Sequence, residues 1–231
     1  MTSYSATNQN DAMTSLAQGV QTFQKKIYPG QQTLFQTLAS GQSPKVLFIT
    51  CSDSRVDPSL ITQTGPGDMF VIQNAGNLVP PHGSEDTGVL ASIEYAVSVL
   101  GVSHIVVCGH SGCGAMGALL HPEKLDALPI VKQWLLYAEK TRGILSSPLC
   151  QDKSEAEKID ICIRENIAVQ LGHLEALPFV AEKLASGKLS LHGWVYDIGS
   201  GNVTVYEQTD SNGEAKFIAI NNAYATAGAI A

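Results

Sequence analysis

The chain has 231 residues, of which 44% are hydrophobic and 15% are charged, and its formal net charge is −7. This is enough apolar material for a sizeable core. The 14 basic residues form no basic run, which argues against a nucleic acid or an anionic membrane surface as partner. No stretch is apolar for long enough to span a bilayer, and the polar first residues do not resemble a secretory signal. The five cysteines, an odd number, do not suggest a disulfide framework. We therefore expect a cytoplasmic protein with reduced thiols.

Residues 1–40 are predicted to form a helical arm. Apolar residues recur at helical spacing from Met13 to Leu38, and Gly41 followed by Pro44 is typical of a helix end. The pattern is too sparse for the arm to pack alone, and the low charged fraction suggests buried subunit contacts. We therefore expect the arm to lie on a partner subunit. Because no repeat or low-complexity linker interrupts the sequence, a single domain is predicted over residues 1–231.

Three short apolar runs rich in β-branched residues predict buried strands at residues 45–50, 69–73 and 104–110. Helical patterns separate these runs. The alternation of strand and helix is typical of a sheet whose strands are parallel.

Capping signals predict where two of the intervening helices begin. Asp57 is a typical N-cap, and Pro58 suits the first turn of a short helix. Ser84 is predicted to cap a longer helix, with Glu85 and Asp86 in a first turn where negative charge suits the helix dipole.

The second half of the chain predicts further helices at residues 129–142, 156–171 and 179–185. Two strands, at residues 189–198 and 203–208, flank the turn sequence GSGN, which is a hairpin signal. The tail beyond them gives no prediction. The predicted fold class is α/β, with a central, mostly parallel β-sheet flanked by helices, a C-terminal β-hairpin and the N-terminal helical arm.

Two of the predicted strand ends carry side chains that bind zinc. Cys51 follows the first strand, and His110 ends the third, three residues before Cys113. Taken singly, each would also suit a buried core position, but open α/β folds bring the carboxyl ends of their strands to one edge. Two thiolates and an imidazole suit Zn²⁺, and three protein ligands leave a fourth position for water. The pattern therefore predicts a catalytic zinc site.

Asp53 and Arg55 follow Cys51 at alternate positions, so they share its side if the chain stays extended. Asp53 is either a fourth zinc ligand or an acceptor beside the metal. Arg55 favours the second role, because an Arg–carboxylate pair keeps the carboxylate ionised and oriented. Asp53 can then accept the proton of a zinc-bound hydroxide and aim this nucleophile at the substrate. The glycines that flank Cys113 suggest backbone N–H groups suited to an oxyanion.

At these residues the chain resembles the β-class carbonic anhydrases. The two main matching motifs are CSDSR at residues 51–55 and GHSGCG at residues 109–114. Supporting matches lie at residues 73–81, 93–97 and 192–198, and the resemblance spans about residues 30–208. It implies a carbonate dehydratase, a lyase that reversibly hydrates CO₂ to bicarbonate and a proton. It also implies one Zn²⁺ per subunit, with the ligands and the catalytic pair named above.

The resemblance further implies a substrate pocket. Gln42 matches a glutamine that donates to the substrate in plant-like members, and the Gly114 backbone N–H matches a second donor. Phe70, Ala75 and Tyr95 match positions of an apolar pocket, although ordinary packing is the alternative for all three. Because the family assembles from dimers into tetramers or larger particles, we expect a homodimer or higher oligomer, with a tetramer or octamer as options and the pocket near the dimer interface.

One departure from the family pattern bears on the subtype. Members with a regulatory, non-catalytic bicarbonate site have Trp, Arg and Tyr where this chain has Phe48, Gln73 and Tyr196. Two of the three residues are therefore different here. This predicts the plant-like, open form, in which Asp53 pairs with Arg55 and does not coordinate the zinc.

Other functions fit parts of the pattern. A hydrolase of carbonyl sulfide or carbon disulfide would use the same scaffold, since both molecules are linear triatomics like CO₂. A structural zinc subunit without turnover is disfavoured by the Asp–Arg pair, which a structural zinc does not need. An enzyme with Cys113 as nucleophile, assisted by His110, would be active without metal. Loss of activity on treatment with a chelator would therefore exclude it. The glycine-rich turn GHSGCGAMG lacks the G-x-G-x-x-G spacing of dinucleotide sites.

Overall fold

A computed structural model describes residues 9–85, 87–209 and 214–224. The chain divides between Gln42 and Ser43 into two compact units, which are described in turn. Within the described part of the chain, none of the helices combines the length and apolar character that crossing a bilayer requires.

The first unit is helical over most of its described residues, 9–42, as predicted; residues 1–8 of the predicted arm lie outside the described residues. It consists of α1 (Gln9–Thr22), a π-helical turn (Phe23–Ile27), a 3-10 turn (Tyr28–Gln31) and α2 (Gln32–Leu38). The rings of Phe23, Tyr28 and Phe35 pack on one another, with centroids 5.2 to 6.0 Å apart. None of residues 11–42 is buried, and the apolar side chains of α1 are exposed. This part of the chain therefore has no core of its own.

The second unit contains a six-stranded sheet in the order β2-β1-β3-β4-β5-β6. Its strands are β1 (Val46–Cys51), β2 (Met69–Asn74), β3 (His104–His110), β4 (Ser190–Tyr196), β5 (Val203–Thr209) and β6 (Ala215–Ala219). The first four are parallel, whereas β5 and β6 are added antiparallel. The predicted mostly parallel sheet and C-terminal hairpin are confirmed, and β6 is an element that the sequence did not predict.

Helices connect and cover these strands. They are α3 (Pro58–Thr62), α4 (Gly88–Glu94, continued by a π-helical turn Tyr95–Val99), α5 (Gly114–Leu120), α6 (Pro129–Trp134), α7 (Glu139–Ile144), α8 (Glu155–Glu175), α9 (Pro178–Ala185) and α10 (Ile220–Ala223). Short 3-10 turns lie at Pro122–Leu125, Leu135–Ala138 and Pro148–Cys150. The start of α3 is as predicted, because the Asp57 side chain accepts a hydrogen bond from Leu60 N at 3.1 Å.

The helix expected to begin at Ser84 begins at Gly88 instead, so that prediction is wrong. Ser84 N donates to Pro81 O at 3.1 Å, which closes a turn and keeps this segment out of the helix. Asp86, expected in the first helical turn, lies outside the described residues. The single helix expected at residues 129–142 is also wrong in detail, since a 3-10 turn separates α6 from α7.

The two faces of the sheet differ in what covers them. Leu47 and Ile49 of β1 point into the main core beneath the helices, whereas Phe48 points to the other face and contacts the Trp194 ring. This alternation follows from the two-residue period of a strand. On the covered face α8 packs closely on β4, because Gly193 has no side chain there: a Cβ would lie 2.4 Å from Ile167 Cγ2.

The strand register brings the predicted ligands to one edge. Thr50 is paired with Cys108, so Cys51 and His110 both lie where adjacent parallel strands end. Cys113 follows after a short turn and precedes the first residue of α5.

Candidate metal centre

Three buried side chains meet at the carboxyl edge of the sheet. Their ligand atoms, the Sγ atoms of Cys51 and Cys113 and a ring nitrogen of His110, all lie within 4.8 Å of one another. Within the described residues, no other group of His, Cys, Asp or Glu was found with such geometry. The sequence hypothesis that two strand ends and a glycine-rich turn form one site is therefore confirmed. The donor set is a Cys-His-Cys metal site.

The local fold leaves one nitrogen of His110 available for a metal. His110 Nδ1 lies 3.0 Å from Ser111 O, and because a carbonyl only accepts, Nδ1 is the protonated nitrogen. Nε2 then carries a lone pair. It is buried and has no hydrogen-bond partner. A buried polar atom normally has a partner, so an unsatisfied Nε2 beside two thiols fits a site that binds a cation.

The pKa values of the two thiols are shifted in opposite directions. The hydrogen bond with Cys113 lowers the pKa of Cys51 to about 4, against the opposing effect of burial. The same bond, together with burial, raises the pKa of Cys113. Burial also acts against a charged His110, but the neighbouring Cys51 outweighs it and the pKa of His110 is raised. Metal ligands must be deprotonated, so a cation at this site would replace these protons.

Asp53 and Arg55 form a bidentate pair beside the ligands. Arg55 Nε donates to Asp53 Oδ1 at 2.9 Å, and Arg55 Nη2 donates to Asp53 Oδ2 at 2.8 Å. Arg55 Nη2 also lies 3.4 Å from Gly112 O, in the turn that carries Cys113. These bonds hold the pKa of Asp53 well below its usual range. Asp53 Oδ2 lies 3.8 Å from His110 Nε2, so an ionised carboxylate borders the site.

The turn at residues 74–79 closes another side of the site. Gly76 N donates to Cys51 Sγ at 3.4 Å. Gly76 has φ +84°, and a Cβ there would lie 3.0 Å from Ala115 Cβ, so only glycine fits between β2 and α5. Gln73 donates through Nε2 to Cys51 O at 3.3 Å.

The predicted substrate residues lie in different parts of the chain. Gln42 ends the first unit. Gly114 begins α5, directly after Cys113, and Ala75 is exposed in the turn that contacts Cys51.

The rings of Phe70 and Tyr95 contact each other, with centroids 6.2 Å apart. Phe70 is paired with Leu47, four residues before Cys51. At about 3.3 Å per residue, this is roughly 13 Å along the strand from the metal ligand. The structure therefore does not bring this aromatic pair to the metal site of its own chain.

A set of buried amides behind the site was not predicted from the sequence. Asn166 and Gln170 lie on α8 among the apolar residues that face the core, and both hydrogen-bond to the turn at residues 74–79. One signal was available. Two amides four residues apart interrupt the apolar pattern Ile163, Ile167, Leu171, where a purely structural helix would place apolar side chains.

Comparison with known proteins gives a consistent result. The sequence model of the carbonic anhydrase family matches residues 46–203. A carbonic anhydrase of Pseudomonas aeruginosa is 52% identical over 191 residues, which are 83% of this chain and 86% of that protein. The solved structure of the β-carbonic anhydrase CcaA has a TM-score of 0.85 and 42% identity, covering 90% of this chain and 99% of the other. One of two tetrameric β-carbonic anhydrases of the fungus Sordaria macrospora has a TM-score of 0.77 and 32% identity, covering 85% and 97%.

The chain therefore belongs to the β-class carbonic anhydrase family. Its activity is that of a carbonic anhydrase, a lyase that hydrates CO₂. The resemblance seen in CSDSR and GHSGCG is confirmed. These relatives do not indicate the plant-like subtype, which stays a prediction.

Proposed function

We propose that CO₂ is hydrated at a zinc ion held by Cys51, His110 and Cys113. The observation that carries this proposal is the buried, unpartnered His110 Nε2, which lies within 4.8 Å of two thiol sulfurs. Thiolate and imidazole donors in a set of three are typical of zinc sites that keep one position open. A zinc ion bound there would activate water as a nucleophile near neutral pH.

Asp53 and Arg55 would orient the nucleophile. An ionised carboxylate only accepts hydrogen bonds. Asp53 is held ionised by Arg55, so it can pair only with an attacking group that still carries a proton. This hydrogen bond would direct the lone pair of the attacking oxygen toward CO₂. The second role of Arg55 is to tie this carboxylate to the Gly112 carbonyl and hence to the turn that carries Cys113.

The plant-like, open form is the subtype that we propose. Both oxygens of Asp53 are engaged by Arg55, which favours pairing over coordination of the metal. Phe48 and Gln73 stand where a bicarbonate-regulated member would have Trp and Arg. A zinc-loaded crystal structure near neutral pH with Asp53 coordinated to the metal would contradict this subtype.

We further propose a substrate pocket formed with a second copy of the chain. Gln42 and the Gly114 N–H are the proposed polar donors to the substrate, and Ala75 is proposed to line the pocket. Phe70 is paired with a residue that lies roughly 13 Å along β1 from Cys51, and its ring contacts Tyr95, so we assign both rings to the pocket of a partner. Tetramers are known for the Sordaria relatives, which supports a homo-oligomer here.

The first unit is proposed to supply part of the contact between subunits. The apolar side chains of α1 are exposed, and none of residues 11–42 is buried to stabilise the unit. We therefore propose one catalytic domain with residues 1–40 as an arm on the partner subunit, in a cytoplasmic protein.

The test combines metal analysis with stopped-flow CO₂ hydration on one purified sample. We expect about one zinc per chain, activity that a chelator removes, and loss of both zinc and activity in Cys113→Ala. The control is Cys150→Ala, a buried cysteine outside the site, which should keep both. Full activity with sub-stoichiometric zinc, or a Cys113→Ala protein that keeps zinc and rate, would overturn the proposal. Carbonyl sulfide hydrolysis on the same sample tests the alternative substrate.

A further inference from the structure

A ladder of polar side chains on α8 is buried in the core behind the metal site. Asn166 and Gln170 are 1% and 0% exposed, and His173 is 8% exposed. Gln170 Nε2 donates to Asn166 Oδ1 at 2.9 Å, so the two amides are linked along one face of the helix. Buried amides are unfavourable unless they are hydrogen-bonded. Their other partners are Tyr137 O, to which Gln170 Nε2 donates at 3.4 Å, Thr141 Oγ1, which donates to Asn166 Oδ1 at 3.3 Å, and backbone atoms of one turn, at residues 74–79.

The ladder fastens this turn at two points. Asn166 Nδ2 donates to Gly76 O at 3.1 Å. Three residues later, Val79 N donates to Gln170 Oε1 at 2.8 Å, and His173 Nδ1 donates to Val79 O at 2.8 Å. A separate helix adds an anchor from outside the core, since Trp134 Nε1 of α6 donates to Ala75 O at 2.7 Å.

The anchored glycine also contacts a metal ligand. Gly76 accepts from Asn166 through its carbonyl and donates through its N–H to Cys51 Sγ at 3.4 Å. The position of that N–H is therefore determined by a hydrogen bond on each side of the same residue. Groups that hydrogen-bond to a metal ligand orient it and set how firmly the metal is held.

We propose that Asn166, Gln170 and Trp134 are positioning residues for the metal centre, which hold the Gly76 N–H on the Cys51 sulfur and thereby slow the loss of the metal. The inference rests on the proposed zinc site. It assigns a function to amides that neither touch substrate nor ligate the ion. It also explains why polar side chains interrupt an otherwise apolar helix face.

The main variant is Asn166→Leu, which matches the shape of Asn but cannot donate to Gly76 O. Two controls separate positioning from general destabilisation. Thr141→Val removes a buried hydrogen bond to the same Asn166 Oδ1 (3.3 Å) without touching the turn. Ile163→Val truncates the core on the same helix and has no polar contact with the turn.

The measurement is the rate of zinc transfer to an excess of a colorimetric chelator, from the zinc-loaded protein. Urea unfolding of each variant gives its global stability for comparison. Loss of outer hydrogen bonds typically weakens metal binding by about 10- to 100-fold, so we expect Asn166→Leu to release zinc about 10-fold faster than wild type. The rate of zinc release from both control variants should stay within about two-fold of the wild-type rate, once the proteins are compared at equal stability.

Trp134→Phe keeps the test decisive if Asn166→Leu fails to fold. This change removes the N–H that donates to Ala75 O, together with part of the indole ring, at the rim of the core, and we expect release to be about three-fold faster. If Asn166→Leu released zinc at the same rate as Ile163→Val at matched stability, the inference would be overturned. A wild-type rate in Trp134→Phe would do so when Asn166→Leu does not fold. Wild-type protein that carries no zinc would instead refute the proposed function itself.

Discussion

Gly193→Ala should destabilise the protein by separating α8 from the sheet. A Cβ at this position would lie 2.4 Å from Ile167 Cγ2, 2.9 Å from Tyr206 Cβ and 3.1 Å from Leu171 Cδ1. Ordinary carbon contacts begin near 3.5 Å, so Ile167 would have to move by about 1 Å. Ile167 is fully buried, and protein interiors are close-packed, so this movement would displace neighbouring side chains as well.

The magnitude follows from the cost of overpacking. Inserting a carbon into a filled core typically costs about 1–3 kcal/mol. For a domain of this size, that loss corresponds to a decrease in Tm of roughly 2–12 °C. The matched control is Gly172→Ala on α8, where an added Cβ would have no atom within 4 Å. Because alanine favours a helix interior over glycine, this control should gain about 0.5–1 kcal/mol.

Urea unfolding and thermal scans of the two variants, at one protein concentration and a fixed excess of zinc, provide the measurement. The opposite signs expected for the two Gly→Ala changes, one on β4 beneath α8 and one at an exposed position of α8, make the comparison sharp. If Gly193→Ala were as stable as wild type, the close approach of α8 to β4 would not exist as described, and the positions of the α8 amides would be in doubt as well.

Three further predictions concern other parts of the chain. Ser154→Ala removes the capping box in which Ser154 Oγ accepts from Glu157 N and Glu157 Oε2 accepts from Ser154 N, and urea unfolding should show a loss of about 1 kcal/mol. Asp53 has a lowered pKa, so its pairing stabilises the folded state above about pH 4 and this contribution is lost as pH falls further. The stability difference between wild type and Arg55→Gln should therefore shrink below that pH, and a constant difference would contradict it. Leu16→Glu in α1 should lower the oligomer mass measured by light scattering, whereas Gln18→Glu on the other side of the helix should not; an unchanged mass in Leu16→Glu would refute the proposed contact.

The metal ligands could be predicted because their positions depend on topology that local sequence determines. Apolar β-branched runs predict strands, and strand–helix alternation predicts parallel pairing. Once β1 and β3 are parallel neighbours, the residues that follow each run must lie at one edge. Cys51 and His110 are therefore brought together by a rule that needs no knowledge of side-chain packing. Cys113 follows because a turn of two residues separates it from His110.

The elements that sequence did not predict depend on contacts between distant segments. β6 is short and follows a polar stretch, and it forms because β5 offers an open edge with which it can pair. The helix α4 begins at Gly88 and not at the predicted Ser84. The backbone N–H of Ser84 instead donates to Pro81 O and closes a turn before the helix. Local propensity favours a cap at Ser84, and a competing turn with its own hydrogen bond decides the outcome.

The α8 amides show why the region around a metal is harder to predict than its ligands. Asn166 lies 90 residues from the Gly76 carbonyl that it binds, and Gln170 lies 91 residues from the Val79 amide. No spacing rule connects such positions, and in the sequence they appear only as polar interruptions of an apolar stripe. What makes them meaningful is the cost of burying an amide, since each must find a partner. Their partners include backbone atoms of the turn that contacts Cys51, so the same hydrogen bonds that make α8 compatible with the core also hold the turn beside this metal ligand.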